Sequence, residues 1–273
     1  MNNFQVYKNG NLINYDKGYE ILNLYDSETL FIFHGLFGRG RNWQTFSKIL
    51  TKNQDIIVIT VDLRNHGGNE LKKNHSYSLM INDVVQVFDH LNIKKTNILG
   101  HSMGGKLAML ITLNHPQYVN KLIVADIAPL DYHEEQYNIV DSLLDLNLDI
   151  IVSRTHADEL LSNSIKDKFI RTFLIQNLEL DEGKYRWSIN LLAIKEAMTN
   201  LRSFPVPKKI KTVEHKTLCI HGEKSNYVTK KHLKIFSNFF SNVSFVEIKN
   251  AGHYLHVEQP KEFYRALSNF LIY

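Results

Sequence analysis

Thr96-Asn97-Ile98-Leu99-Gly100-His101-Ser102-Met103-Gly104-Gly105-Lys106-Leu107-Ala108-Met109-Leu110-Ile111 is the stretch on which the reading of this chain turns. Thr96–Leu99 has the apolar, β-prone character of a short buried strand, and Lys106–Ile111 has that of a helix, so Ser102 falls in a very tight turn between them. Such a turn crowds the backbone around its central residue. Gly100 and Gly104, placed symmetrically about Ser102, relieve that crowding. The serine hydroxyl then stands above the sheet edge, and the Met103 N–H, at the positive end of the new helix, faces the same space and can stabilise a developing oxyanion. G-x-S-x-G alone also occurs as simple strand-to-helix punctuation, so the remainder of the chain has to decide.

Outward from this turn, strands alternate with helices. Leu30–Phe33, Ile56–Val61, Thr96–Leu99, Leu122–Ala125, Lys216–Ile220 and Ser244–Ile248 read as strands, separated mostly by amphipathic stretches at 42–50, 79–91, 106–114, 230–240 and 258–271. That order predicts an α/β fold with a mostly parallel, twisted sheet, helices on both faces and the site at the carboxyl ends of the strands. Residues 129–207 break the rhythm with an almost wholly helical pattern that ends near Pro205 and Pro207. The expected organisation is a core of 1–128 and 208–273 with 129–207 inserted as a helical cap.

A serine nucleophile needs a base. Of 13 histidines, His253 follows the last strand in Asn250-Ala251-Gly252-His253, where a loop can return the imidazole to the sheet edge. His256 is its nearest rival, expected to cap or pack locally. The acid is less direct, because the loop after Lys216–Ile220 carries Ser225 where an aspartate is expected, and a serine supplies no negative charge. Asp126, at the end of the preceding core strand, is the first candidate and Glu223 the rival, with Ser225 as an auxiliary. The glycine-rich loop His34-Gly35-Leu36-Phe37-Gly38-Arg39-Gly40 offers the Leu36 N–H as second oxyanion donor beside that of Met103.

The same loop admits a dinucleotide-site reading, with Asp62 as the ribose acid, but its spacing is G-x-x-G-x-G and helical character resumes only near Asn42. Asp62, Arg64 and His66 are expected instead to form a charge-paired turn. Composition narrows the remaining classes. The chain has 273 residues, 44% hydrophobic and 22% charged, enough for one large α/β domain. A net charge of +4 with dispersed lysines gives no support to nucleic-acid binding. The single Cys219 lies in an apolar run and is expected to be a buried thiol in a reducing compartment. No segment is long enough to span a bilayer and the N-terminus does not resemble a signal peptide, so the expected location is cytoplasmic. Nothing in the sequence indicates an oligomeric state.

His34-Gly35, Asp62-x-Arg64-x-His66-Gly67, Gly100-His101-Ser102-Met103-Gly104-Gly105 and Gly252-His253, in this order, resemble the α/β-hydrolase superfamily. A narrower resemblance, to small bacterial carboxylesterases related to mitochondrial abhydrolase domain-containing protein eleven, rests on His34-Gly35-Leu36-Phe37-Gly38 with Asn42-Trp43 and on Ala125-Asp126-Ile127-Ala128-Pro129. Arg171-Thr172-Phe173-Leu174, Asn177-Leu178 and Trp187-x-x-Asn190-Leu191 extend it through the insertion. The resemblance implies an esterase or thioesterase without metal or organic cofactor, the acid on the strand before the cap, and a serine at the usual acid position, as at Asp126 and Ser225. Gly68-Asn69 and the basic Arg39-Gly40-Arg41 depart from the usual pattern.

The resulting expectation is hydrolysis of a small-molecule ester or acyl thioester through an acyl-serine intermediate at Ser102. The alternative is a low-turnover ligand-binding or regulatory protein on the same fold. A carboxylate-nucleophile hydrolase is disfavoured by Ser102 itself. Phe37, Phe173, Trp187 and Tyr254 are candidates for an acyl pocket; Phe169, Phe173 and Leu174, then Trp187, Leu191 and Ile194, recur at helical spacing and either wall that pocket or seal the cap on the core. Arg39, Arg41, Arg64 and Lys106 are expected either to attract an anionic group such as the phosphates of coenzyme A or to form a solvated surface.

Overall fold

A computed structural model describes residues 2–13, 24, 27–132, 137–206 and 212–272. Strands β1 (Phe4–Lys8), β2 (Asn11–Ile13), β3 (Thr29–Phe33), β4 (Ile57–Val61), β5 (Thr96–His101), β6 (Val119–Ala125), β9 (Lys216–Gly222) and β10 (Val243–Ile248) form an eight-stranded sheet in the order β10-β9-β6-β5-β3-β4-β1-β2. The six strands from β10 to β4 are parallel; β1 joins β4 antiparallel and carries β2 at the edge. β3 explains why the sheet must be covered on both sides. Leu30 and Ile32 point into one apolar cluster with Trp43, Leu50 and Phe263, while Phe31 and Phe33 point into the opposite cluster with Phe88 and Met109.

Helices α1 (Gln44–Asn53) and α10 (Pro260–Ile272) cover the first face. Helices α2 (Tyr77–His90) and α3 (Met103–Asn114) cover the second. α3 is buried from Met103 through Thr112, which accounts for its apolar character all round. Its seat demands the two glycines. A Cβ on Gly100 would lie 2.1 Å from the Gly104 carbonyl oxygen, and one on Gly104 would lie 2.3 Å from that of Phe33.

Between β6 and β9 the chain leaves the sheet and forms α4 (Tyr137–Leu144), α5 (Arg154–Leu161), α6 (Lys168–Ile175) and α7 (Leu191–Arg202). The expectation of an almost wholly helical insertion is corrected by an antiparallel hairpin of β7 (Leu178–Asp181) and β8 (Lys184–Trp187). Its tight turn is made by Glu182 and Gly183, both at positive φ (47° and 80°), the conformation that two-residue hairpin loops prefer. Pro207, read as part of the exit, lies outside the described residues. After β9 come α8 (Lys230–Phe236), β10 and the short α9 (Leu255–Glu258) ahead of α10.

Candidate active site

β5 and β6 are paired in parallel with His101 opposite Ala125, so the next residues, Ser102 and Asp126, leave the sheet side by side. Both turn sharply there. Ser102 has φ 54° and ψ −119°, and Asp126 has φ 51°, left-handed values that L side chains adopt only under restraint. The restraint is visible: the Ser102 amide donates to the Ala125 carbonyl at 3.1 Å, and the Asp126 amide to that of Ile220 at 2.8 Å. The loop after β10 supplies His253. Glu258 holds that loop by accepting from the Gly252 and Tyr254 amides at 2.7 and 3.0 Å.

The three side chains form one row. His253 Nε2 is 3.0 Å from Ser102 Oγ, and His253 Nδ1 is 2.8 Å from Asp126 Oδ2. Because a carboxylate only accepts, Nδ1 carries the proton and the Nε2 lone pair faces the serine hydroxyl. Asp126 is fully buried, and its second oxygen accepts from the Gly222 amide at 3.0 Å. Ser225 Oγ donates to Asp126 Oδ2 and in turn accepts from the Tyr227 amide. Ser225 thus contacts Asp126 directly. Glu223 does not: exposed, it pairs with Lys249 and accepts from the Asn250 amide at 2.8 Å. Glu223 lies in the turn just after β9, and through Lys249 and the Asn250 amide it ties that turn to the loop that carries His253.

Two supports escaped the sequence reading. The Tyr227 ring stacks on His253 with centroids 3.9 Å apart, and His101 Nε2 donates to the His253 carbonyl at 2.9 Å. Burial holds the His101 imidazole well below its ordinary pKa, so it is neutral and adds no competing charge. His256, the rival base, stacks on Trp43 at 4.2 Å and is likewise pushed down, to about 3, by burial.

The loop after β3 is pinned from several sides. His34 Nε2 accepts from the Leu63 amide at 2.9 Å, and His66 Nε2 accepts from the Phe37 amide at 3.2 Å. Burial lowers these imidazoles to about 4 and about 3, keeping both lone pairs available. Asp62 accepts from the Gly40 and Gly68 amides, whereas Arg64 pairs with Asp83 at 2.8 Å. The expected charge-paired turn of Asp62, Arg64 and His66 is thus corrected. Each takes a different partner, since the three side chains leave the turn in different directions. Among the described residues, the Leu36 and Met103 amides have no intramolecular acceptor, and both residues border the space around Ser102.

Ser102 opens on two cavities of unequal size. One of about 180 Å³ is walled by Phe37, Ile139, Ile170, Phe173, Leu174 and Tyr254, so three of the four expected pocket residues line it. Trp187 does not. It lies on β8 opposite Leu178 and packs against the core, a consequence of the hairpin that the helical reading overlooked. The other cavity, about 40 Å³, is bordered by Met103, Lys106, Tyr132 and Met198. Lys106 is only 2% exposed; its ammonium donates to the Ser203 carbonyl at 3.0 Å and to that of Arg202, and lies 4.8 Å from the Tyr132 ring centre. Burial brings it down to about 7. Lys106 therefore caps the end of α7 and is no solvated surface cation. Cys219 is buried, its thiol pushed up by burial. Among the described residues no helix is long and apolar enough to cross a membrane.

A serine at a strained strand-to-helix turn, bonded to a histidine that is bonded to a buried aspartate, defines the class of site. The sequence profile of the α/β hydrolase fold matches residues 28–260. The chain belongs to the α/β-hydrolase family, and it is a hydrolase. It is 31% identical over 252 residues to the sn-1-specific diacylglycerol lipase ABHD11 of Danio rerio, covering 90% of this chain and 79% of that protein. It is 27% identical over 250 residues to esterase YbfF of Escherichia coli, covering 91% and 95%. Among solved structures, a marine microorganism esterase superimposes with a TM-score of 0.88 at 33% identity, over 98% of both chains.

Proposed function

We propose that this protein hydrolyses carboxylic esters or acyl thioesters through a covalent acyl-serine intermediate. The observation that carries the reading is the Ser102–His253–Asp126 row, with links of 3.0 and 2.8 Å, opening on a cavity lined by Phe37, Phe173 and Tyr254. Ser102 Oγ attacks the carbonyl carbon while His253 Nε2 takes its proton, and Asp126 stabilises the imidazolium. The oxygen that becomes negative is received by the Leu36 and Met103 amides, each such donor contributing about 3 kcal/mol to the transition state. Collapse breaks the carbonyl–oxygen or carbonyl–sulfur bond, and the departing alcohol or thiol takes the proton from His253. Water then attacks the acyl-serine, gives a proton to His253, and releases the carboxylic acid with Ser102 restored.

Ser225 assists by donating to Asp126, and residues 129–207 act as the cap that walls the site. The esterase and lipase names of the relatives support the same chemistry. The buried thiol of Cys219 suits a reducing, cytoplasmic setting. The test is a fluorophosphonate probe together with p-nitrophenyl ester turnover. The expected results are an adduct on Ser102 and a roughly millionfold loss of turnover in Ser102→Ala with the fold retained. Unchanged turnover in that variant, or an adduct elsewhere, overturns the proposal.

A further inference from the structure

The base has a neighbour that the mechanism above does not use. Asp126 takes Nδ1 of His253 and Ser102 faces Nε2, while the rings of His101 and Tyr254 meet the imidazole at steep angles of 40° and 72°, with centres 4.7 and 5.4 Å away. Tyr227 is different. Its ring lies nearly flat on the imidazole, centres 3.9 Å apart and planes at 22°. Bonds at the two nitrogens fix the imidazole along one axis, and a flat neighbour opposes tipping about that axis.

Tyr227 is itself held at both ends of its backbone. Its amide donates to Ser225 Oγ at 3.1 Å, and its carbonyl accepts from the Tyr132 hydroxyl at 2.6 Å, with His232 Nδ1 3.1 Å from the same oxygen. Tyr132 stands where the chain enters the insertion, and three parts of the molecule converge on it. The hydroxyl accepts from the Ala128 amide at 2.9 Å, and the Tyr132 amide donates to the Arg202 carbonyl at 3.0 Å, at the end of α7. Beside it, the Asp131 carboxylate accepts from the Phe204 amide at 2.6 Å. From the nucleophile helix, the Lys106 ammonium holds the carbonyls of Arg202 and Ser203 and lies 4.8 Å from the Tyr132 ring centre. Burial pushes the Tyr132 hydroxyl above the ordinary tyrosine range, so it stays a donor.

Resting on the acyl-serine reading above, we infer that Tyr132 is a positioning residue for the base: its hydroxyl holds the Tyr227 carbonyl, and the Tyr227 ring holds the His253 imidazole in line with Ser102 Oγ and the leaving group. Through Tyr132 the entry of the insertion bears on the reacting atoms from behind the base. A tyrosine that merely packed the insertion against the core would leave the imidazole as it is.

The test follows His253 itself. In protein with ¹⁵N-labelled histidines, the titration midpoint of its imidazole is expected to move by about half a pH unit or more in Tyr132→Phe and in Tyr227→Leu, and to stay in Tyr227→Phe, which keeps the ring. Dispersed histidine resonances show that each variant is folded. In turnover, Tyr132→Phe is expected to lower kcat about tenfold on ethyl butyrate and less than about threefold on p-nitrophenyl butyrate, with KM within about twofold on both. An alkoxide needs the proton that His253 delivers; p-nitrophenolate leaves without it. An unmoved midpoint in Tyr132→Phe, an equal loss on both esters, or a midpoint that moves as far in Tyr227→Phe as in Tyr227→Leu overturns the inference. If the wild type turns over neither ester and takes no fluorophosphonate on Ser102, the esterase reading fails, and the titration alone decides this one.

Discussion

The carboxyl edge of the sheet and the insertion above it contribute to one site by different means. At the sheet edge, positions are set by backbone: paired strands place Ser102 beside Asp126, glycines at 100 and 104 let α3 close on β5, and buried amides bind the acid. In the insertion, cavity walls are set by side chains on α4 and α6, joined to the core by a handful of bonds such as Asn177 Nδ2 to the Phe37 carbonyl at 2.7 Å. Strand pairing sets where Ser102 and Asp126 leave the sheet.

This contrast breaks first, and most severely, at Asp126. Asp126→Asn keeps the shape but removes the charge and upsets the tautomer of His253, so kcat should fall by about 10⁴-fold in ester hydrolysis, while Glu223→Gln stays within twofold. Equal effects would return Glu223 to the role of acid. The sheet edge should also be the acid-sensitive part. His34 and His66 are held at about 4 and about 3, below the ordinary histidine value of about 6.5, so the unfolded chain binds more protons between these limits. Their contribution is full above about pH 6.5 and is lost as the pH falls toward about 3. Thermal unfolding should show a midpoint that drops through this window; a flat profile contradicts it.

Smaller effects belong to the insertion. Phe173→Ala removes one aromatic wall of the larger cavity at Ser102 and should raise kcat/KM for an octanoyl over an acetyl p-nitrophenyl ester by about tenfold, with the acetyl rate little changed. A collapse of both rates would mean that α6 also positions the chemistry. Asn177→Ala deletes one clasp and should cost about 1 kcal/mol in denaturant unfolding, with esterase activity kept.

The sheet edge was also the more legible half. The elbow, the run of six parallel strands, His253 behind the last strand and Asp126 at the end of β6 could be read because local residue types dictate them. The edge strands β1 and β2 were not recognised, being short and without clear alternation, β1 burying the adjacent Val6 and Tyr7 and β2 being largely exposed. The hairpin of the insertion had a signal, Glu182-Gly183 between β-prone pairs, that was outweighed by the helical stretches around it. Trp187 was misplaced for that reason. Lys106, Tyr227 and His101 owe their roles to residues far along the chain: Lys106 to the end of α7, Tyr227 and His101 to the His253 loop. No local pattern encodes such partners.

Asp126 is the last residue before the chain leaves the sheet for the insertion, and its backbone is already in the left-handed turn that starts this departure. The carboxylate bonded to the His253 imidazole and the turn by which the chain leaves β6 toward the insertion thus belong to one residue. Under the proposed mechanism, exchange of the insertion for a foreign one must leave the turn at Asp126, three residues before it, as intact as the one at Ser102. A hydrolase whose acid follows a later strand carries no such constraint.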